Sequence, residues 1–191
     1  MIDIDFKKSV GLYEPQWIDI LDNSEIQQIH SLCNSLKNEE GKTLLPIESG
    51  YRKSDVKWIP NNQETYWLYN KVTTIARQLN EESYNFQLTG GEPFQYTKYS
   101  EANQGEYKWH TDTAVHTDGC VRKLSIVILL SDISEFEGGH FMFSRIGSSE
   151  PAPQKKGRMF LFPSWIPHCV TPVIKGVRTS LVMWLYGDQL K

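Results

Sequence analysis

His110 and Asp112 stand one residue apart in the stretch YKWHTDT, residues 107–113. Both side chains can ligate a metal, and residues i and i+2 of a β-strand share a face. At a strand end the two would project together, with Thr111 turned away. His168 offers a third ligand, and Arg178 follows ten residues later. Two imidazoles and one carboxylate that leave positions open form the facial ligand set of non-haem Fe(II). Zinc accepts the same donors. A zinc protease, however, typically sets two histidines four apart on a helix, and the sequence has no HExxH.

Arg178 lies in the apolar run VRTSLVMWL. A guanidinium inside such a strand needs an anion, because an unpaired buried charge is costly. Its planar fork fits a carboxylate bidentately. The expected anion is an acidic co-substrate, a 2-oxo acid that supplies two electrons by oxidative decarboxylation and chelates the metal through its carboxylate and 2-oxo oxygens. Ser180 shares the strand face of Arg178 and can add a hydroxyl. His116 and His140 are rival ligands. His116 falls in a loop with no strand to fix it, whereas His140 follows Gly138-Gly139 and opens a strand near the expected mouth. Cys169 alternates away from His168 and reads as a small buried apolar residue. Trp109, next to His110, should face away from the metal and pack the strand in place.

These side chains need a scaffold. Ser24 with Gln27 fits a capping box. Ile26, Ile29, Cys33 and Leu36, widened by Leu32, recur at helical spacing, with Gly41 as the stop. His30 beside this stripe reads as a partly buried helix histidine. Val56 and Trp58 before Pro60 suggest a short strand. A second helix is expected from about Asn62, with Leu68, Val72, Ile75 and Leu79 on one face. From Tyr84 the period shifts towards two. Strands are expected over Tyr84–Leu88, Phe94–Tyr99, Tyr107–Asp112, Lys123–Ser131, His140–Phe143, Met159–Phe162, Cys169–Val173 and Thr179–Tyr186, punctuated by Gly and Pro. In the most buried of these, Leu124, Ile126, Ile128 and Leu130 take one face and Val127 and Leu129 the other, which implies cover on both sides. Short strands between Gly/Pro turns argue for a mainly β fold, a sandwich or jelly roll (double-stranded β-helix), with N-terminal helices packed outside. A jelly roll also brings strand ends from distant parts of the chain to one mouth.

A chain of 191 residues suits a single domain. Residues 1–83 would be its helical and extended support, and about 84–187 its jelly-roll core. A net charge of −3 without a basic block disfavours a nucleic-acid surface. Three scattered cysteines without a CxxC pattern suit a reducing cytoplasm. The N-terminus lacks a signal-peptide pattern, and the longest apolar run, Ile126–Leu130, is far too short to cross a bilayer.

The segment from Phe94 to Gly187 resembles the prolyl 4-hydroxylase-type 2-oxoglutarate- and Fe(II)-dependent dioxygenases, including the bacterial PKHD-type hydroxylases. The resemblance runs through QYTKY at 95–99, YKWHTD at 107–112, RKLSIVILLSD at 122–132, FEGGHF at 136–141 and FPSWIPHCVTPVIKGVRTSL at 162–181. It implies that His110, Asp112 and His168 hold iron. Arg178 would bind the 5-carboxylate of 2-oxoglutarate with Ser180 as helper, and Tyr99 would contact the co-substrate. Tyr107 and His140 would lie on the substrate side. GGH at 138–140 replaces the commoner GGE, and Ile128-Leu129 stands where animal prolyl hydroxylases carry a co-substrate tyrosine. The implied reaction hydroxylates an unactivated C–H bond, with a peptidyl prolyl residue or a small molecule as substrate. Dioxygen is consumed, succinate and carbon dioxide are released, and ascorbate serves as accessory reductant. Nucleic-acid demethylases of related type usually carry a second Arg soon after the first, and Thr179–Gly187 holds none. A non-catalytic jelly-roll binding module is the alternative from a different class. The candidate substrate loops are Ser100–Glu106, Thr113–Val121 and Ser144–Lys156.

Overall fold

Alternation of apolar side chains decides the layers. The computed structural model describes residues 14–40, 50–145 and 148–189. In chain order the elements are β1 (Gln16–Asp19), α1 (Asn23–Asn34), β2 (Glu39–Glu40), β3 (Arg52–Lys53), β4 (Asp55–Ile59), α2 (Tyr66–Ser83), β5 (Gly90–Gly91), β6 (Phe94–Ser100) and β7 (Glu106–His110). There follow β8 (Val121–Leu129), β9 (Phe136–Gly138), β10 (Phe141–Arg145), β11 (Ser148–Pro151), β12 (Arg158–Pro163), β13 (His168–Val170) and β14 (Val173–Gly187). All strand pairings among the described residues are antiparallel. The larger sheet runs β1-β12-β8-β14-β6-β4-β2, with β5 and β9 also on β14, and the smaller runs β11-β10-β13-β7-β3.

β8 separates two cores, as its double-sided apolarity requires. Leu124, Ile126, Ile128 and Leu130 join Ile26, Ile29, Leu68 and Val72 beneath the helices. Val127 and Leu129 join Phe141, Phe143, Phe160 and Phe162 between the sheets. The outcome is a jelly roll of two antiparallel sheets, with both helices on the outer face of the larger one. Among the described residues, no helix is long and apolar enough to cross a membrane.

Several boundaries differ from the sequence expectation. The capping box of α1 is Asp22 with Glu25, not Ser24 with Gln27. Asp22 Oδ1 accepts the Glu25 N–H at 2.9 Å, and Glu25 Oε2 accepts the Asp22 N–H at 3.0 Å. Two acidic groups also complement the positive end of the helix. The helix ends at Asn34, and Gly41, its expected stop, lies outside the described residues. Helix α2 starts at Tyr66, because the Asn62 side chain turns the chain ahead of it by accepting from Glu64 and Thr65 N–H groups. Its buried face is Leu68, Tyr69, Val72, Ala76 and Asn80, leaving Ile75 and Leu79 half-buried. Tyr69 can be buried because its hydroxyl donates to Ile59 O at 2.7 Å and accepts from Phe94 N at 3.0 Å.

Tyr84–Leu88 is not a strand. Asn80 takes both Phe86 backbone groups, donating to its carbonyl at 2.9 Å and accepting its N–H at 3.0 Å. No ladder can use groups already paired. Gly90-Gly91, among the glycines that punctuate the expected strands, instead pairs with Leu185 and Tyr186. The strand expected at Thr179 begins at Val173 and runs unbroken for 15 residues. Gly176 bends it at φ +76°, and a Cβ there would meet Glu135 O at 2.1 Å. Within the expected loop Ser144–Lys156, β11 pairs back on β10, with Phe143 of β10 opposite Glu150.

Candidate metal centre

His110 and His168 meet across the smaller sheet. They are direct partners on β7 and β13, and their ring centroids lie 4.2 Å apart. The ladder slips between them and the next pair, Tyr107 with Val170. Three steps on β7 thus oppose two on β13, a bulge that turns Tyr107 and His110 to the same cavity despite their odd spacing. Asp112 arrives differently from the expectation. β7 ends at His110, so strand alternation does not place the carboxylate. The Asp112 N–H instead donates to Ser164 O at 2.8 Å, in the turn between β12 and β13.

The three side chains converge with ligand atoms all within 4.8 Å of one another. His110 Nδ1 lies 2.7 Å from Lys108 O, and His168 Nδ1 lies 2.9 Å from Ile166 O. A carbonyl only accepts, so each Nδ1 carries the proton and each Nε2 keeps its lone pair. Those Nε2 atoms face Asp112 at 3.6 Å and 3.4 Å. Burial, and then the His168 ring, push the His110 pKa down to about 3, so this imidazole is neutral. Burial works against the Asp112 charge, yet the protonated form of His168, and then of His110, would hold the carboxyl well below the ordinary range. Three lone-pair donors converging on one point repel unless a cation lies between them. The donor set therefore fits a metal ion, with backbone carbonyls orienting both imidazoles from behind.

Arg178 shares the cavity. It is 1% exposed, and its Nε has no hydrogen-bond partner. Nη1 donates to Ser180 Oγ at 3.2 Å, and the Tyr99 ring centroid is 5.6 Å from the guanidinium carbon. Burial lowers the Arg178 pKa to about 10, which leaves it charged at neutral pH. Among the described residues no carboxylate pairs with Arg178, and a buried cation with a free donor fits an acidic guest.

Tyr99, Tyr107 and Ser180 line the same cavity. Tyr107 stacks on His110 with centroids 3.5 Å apart, and burial raises its hydroxyl above the usual tyrosine range. His140 is exposed, and its backbone pairs with Thr171, outside the cavity lining. His116 sits 3.1 Å from Glu92 and against the Tyr186 ring, not with the ligands. Cys169 is buried as expected. Trp109 is not packing support: it is 42% exposed, and its carbonyl accepts the Tyr51 hydroxyl.

Three contributors had escaped sequence reasoning. Arg52 lies over Tyr107 at 4.8 Å and donates to Gln95 Oε1 at 2.6 Å. Trp184 lines the cavity under the Arg122 guanidinium at 3.9 Å, and Arg122 pairs with Glu92 through two nitrogens. Ser125 donates to Asp112 Oδ2 at 2.7 Å. Only Trp184 had a usable signal, since it shares the strand face of Arg178 and Ser180.

Residues 94–186 match the 2OG-Fe(II) oxygenase superfamily. A PKHD-type hydroxylase of Synechococcus sp. (strain CC9902) is 38% identical over 86 residues, which is 45% of this chain and 38% of the relative. PKHD-type hydroxylase YbiX of Escherichia coli O6:K15:H31 is 36% identical over 87 residues, 44% of this chain and 39% of the relative. The matched region thus spans well under half of these relatives. Among solved structures, the Trichoplax adhaerens prolyl hydroxylase in complex with a hypoxia inducible factor peptide fragment superposes with TM-score 0.74 at 20% identity, covering 91% of this chain and 84% of that one. A Pseudomonas putida prolyl-4-hydroxylase gives 0.68 at 19% identity, covering 90% and 91%. Those likenesses extend the shared fold over most of the chain, and the stretch that matches the 2OG-Fe(II) oxygenase superfamily, residues 94–186, contains the His-Asp-His cluster.

Proposed function

We propose that this chain is a 2-oxoglutarate-dependent Fe(II) dioxygenase that hydroxylates an unactivated C–H bond of a peptidyl prolyl residue, with release of succinate and carbon dioxide. The carrying observation is the pairing of two features in one cavity: the His110–Asp112–His168 cluster and a buried Arg178 with an unpaired Nε. Bound Fe(II) with 2-oxoglutarate supplies the oxygen activation that amino-acid side chains lack. The chain holds the metal through His110 Nε2, Asp112 and His168 Nε2. Arg178 and the Ser180 hydroxyl receive the far carboxylate of the co-substrate, with Tyr99 beside them. Phe141, Val127 and Val170 give the cavity apolar walls that exclude water. Tyr107 borders the metal towards the substrate, and exposed His140 belongs to the outer approach, where a peptide would pass. Ascorbate is the accessory reductant in this reading, and residues 1–191 act as one catalytic domain.

The prolyl assignment is supported by the PKHD-type relatives and the prolyl hydroxylase neighbours. A small-molecule substrate is the second reading. All three cysteines are free thiols, which supports a cytoplasmic setting. The test is anaerobic addition of Fe(II) and 2-oxoglutarate to the purified chain. A weak visible charge-transfer band and a raised thermal midpoint are expected. Absence of both would refute the co-substrate assignment. In air, prolyl peptides should stimulate succinate formation more than free small molecules; the reverse ranking favours the second reading.

A further inference from the structure

The Asp112 carboxylate is held from behind. Ser125 Oγ lies 2.7 Å from Asp112 Oδ2 and 3.0 Å from Ser164 Oγ. Both serines are 0% exposed. An ionised carboxylate can only accept a hydrogen bond. The Ser125 proton therefore points to Asp112, and the Ser125 oxygen takes the Ser164 proton. The order of donation is fixed as Ser164 to Ser125 to Asp112, and each link polarises the next. Ser164 also grips the Asp112 backbone, since its carbonyl accepts the Asp112 N–H at 2.8 Å. Its own N–H donates to Lys123 O at 2.9 Å. β8 and the end of β12 place the two serines, because Ser125 is the register partner of Phe162 and Ser164 follows directly on the last residue of β12. One rigid pair of strands thus fixes the main chain and side chain of Asp112, a residue that belongs to neither.

Neither serine lines the cavity, so neither touches substrate or co-substrate. Their influence passes through the carboxylate. Oδ1 faces His110 Nε2 at 3.6 Å, while Oδ2 faces His168 Nε2 at 3.4 Å and also accepts from Ser125. We propose that Ser125, backed by Ser164, is a positioning residue that sets the rotation of the Asp112 carboxylate in the metal centre. Without the Ser125 donor the carboxylate would be free to turn, so the metal would meet a less fixed ligand. The inference rests on the metal-centre reading above.

The test is Co(II) titration of the full chain, following affinity and the visible d–d spectrum. Ser125→Ala should weaken Co(II) binding roughly 10- to 100-fold, the usual effect of losing a partner behind a metal ligand, and should alter the spectrum. Ser164→Ala leaves the Ser125–Asp112 bond in place, so a smaller, severalfold loss is expected; it also decides the matter if Ser125→Ala does not fold. A purely structural role would lower the thermal midpoint of the metal-free protein and leave Co(II) affinity and spectrum untouched. That result in either variant overturns the inference while the metal centre stands. Failure of the wild-type chain to bind Co(II) overturns both.

Discussion

Arg178→Met tests the strongest link between structure and function. The substitution removes a charge but keeps an unbranched side chain at a site that is 1% exposed. Most large changes at such a site destabilise a protein. Here burial lowers the Arg178 pKa from 12.5 to about 10. That corresponds to about 3 kcal/mol spent on keeping the cation out of water. Met removes this cost and loses the bond to Ser180 Oγ, a term of about 1–3 kcal/mol with the opposite sign. The metal-free protein should therefore keep its stability or gain slightly. Co-substrate binding should change far more. Truncating one partner of a buried hydrogen-bonded charge pair costs about 2–5 kcal/mol. The expected loss in 2-oxoglutarate affinity is therefore roughly 30- to 5000-fold. Urea unfolding of the metal-free chain and anaerobic calorimetry with metal present measure the two effects separately. Metal affinity should stay within about threefold, since no ligand to the ion is altered. An unchanged 2-oxoglutarate affinity, or metal and co-substrate affinities falling in step, would refute the reasoning.

Two further predictions concern the frame. Hydrogen bonds from Arg158 and then Lys155 lower the Asp19 pKa from 3.8 to about 2. The native state is thus favoured by this carboxylate above its unfolded pKa, and the contribution disappears as pH falls through the folded value. Thermal midpoints of wild type and Asp19→Asn should separate at neutral pH and converge near pH 2, with a gap that shrinks in high salt. A gap that persists at pH 2 would show that charge is not its source. Tyr69→Phe leaves Ile59 O and Phe94 N without their buried partner. A loss of about 1–3 kcal/mol in urea unfolding is expected; a change under about 0.5 kcal/mol would mean the two groups find water or each other.

Period-two patterning was a sound guide where both faces of a strand are apolar, because burial on two sides leaves little choice of conformation. β8 is the plainest case. The pattern failed at Tyr84–Leu88, where one buried Asn80 side chain competes successfully for the backbone. Helix α2 shows a milder version: the apolar stripe was legible, but Tyr69 entered the core only because two distant backbone groups satisfy its hydroxyl. Nothing local to Tyr69 encodes those partners.

The metal cluster divides the same way. Ligand chemistry is a property of residue type, so His110, Asp112, His168 and Arg178 could be singled out from the sequence by donor chemistry and spacing. Their arrangement is not a property of spacing. The expected shared strand face of His110 and Asp112 does not exist, since β7 ends at His110 and Asp112 is carried by Ser164. The bulge that admits Tyr107 beside His110 arises from pairing with β13. Ser125, Arg52 and Trp184 reach the centre from three other strands. The sequence by itself determined which donors were available and that they needed a β scaffold. Only the tertiary structure decided which lone pairs face one point, because long-range strand pairing and buried hydrogen bonds set side-chain direction where local propensity is silent.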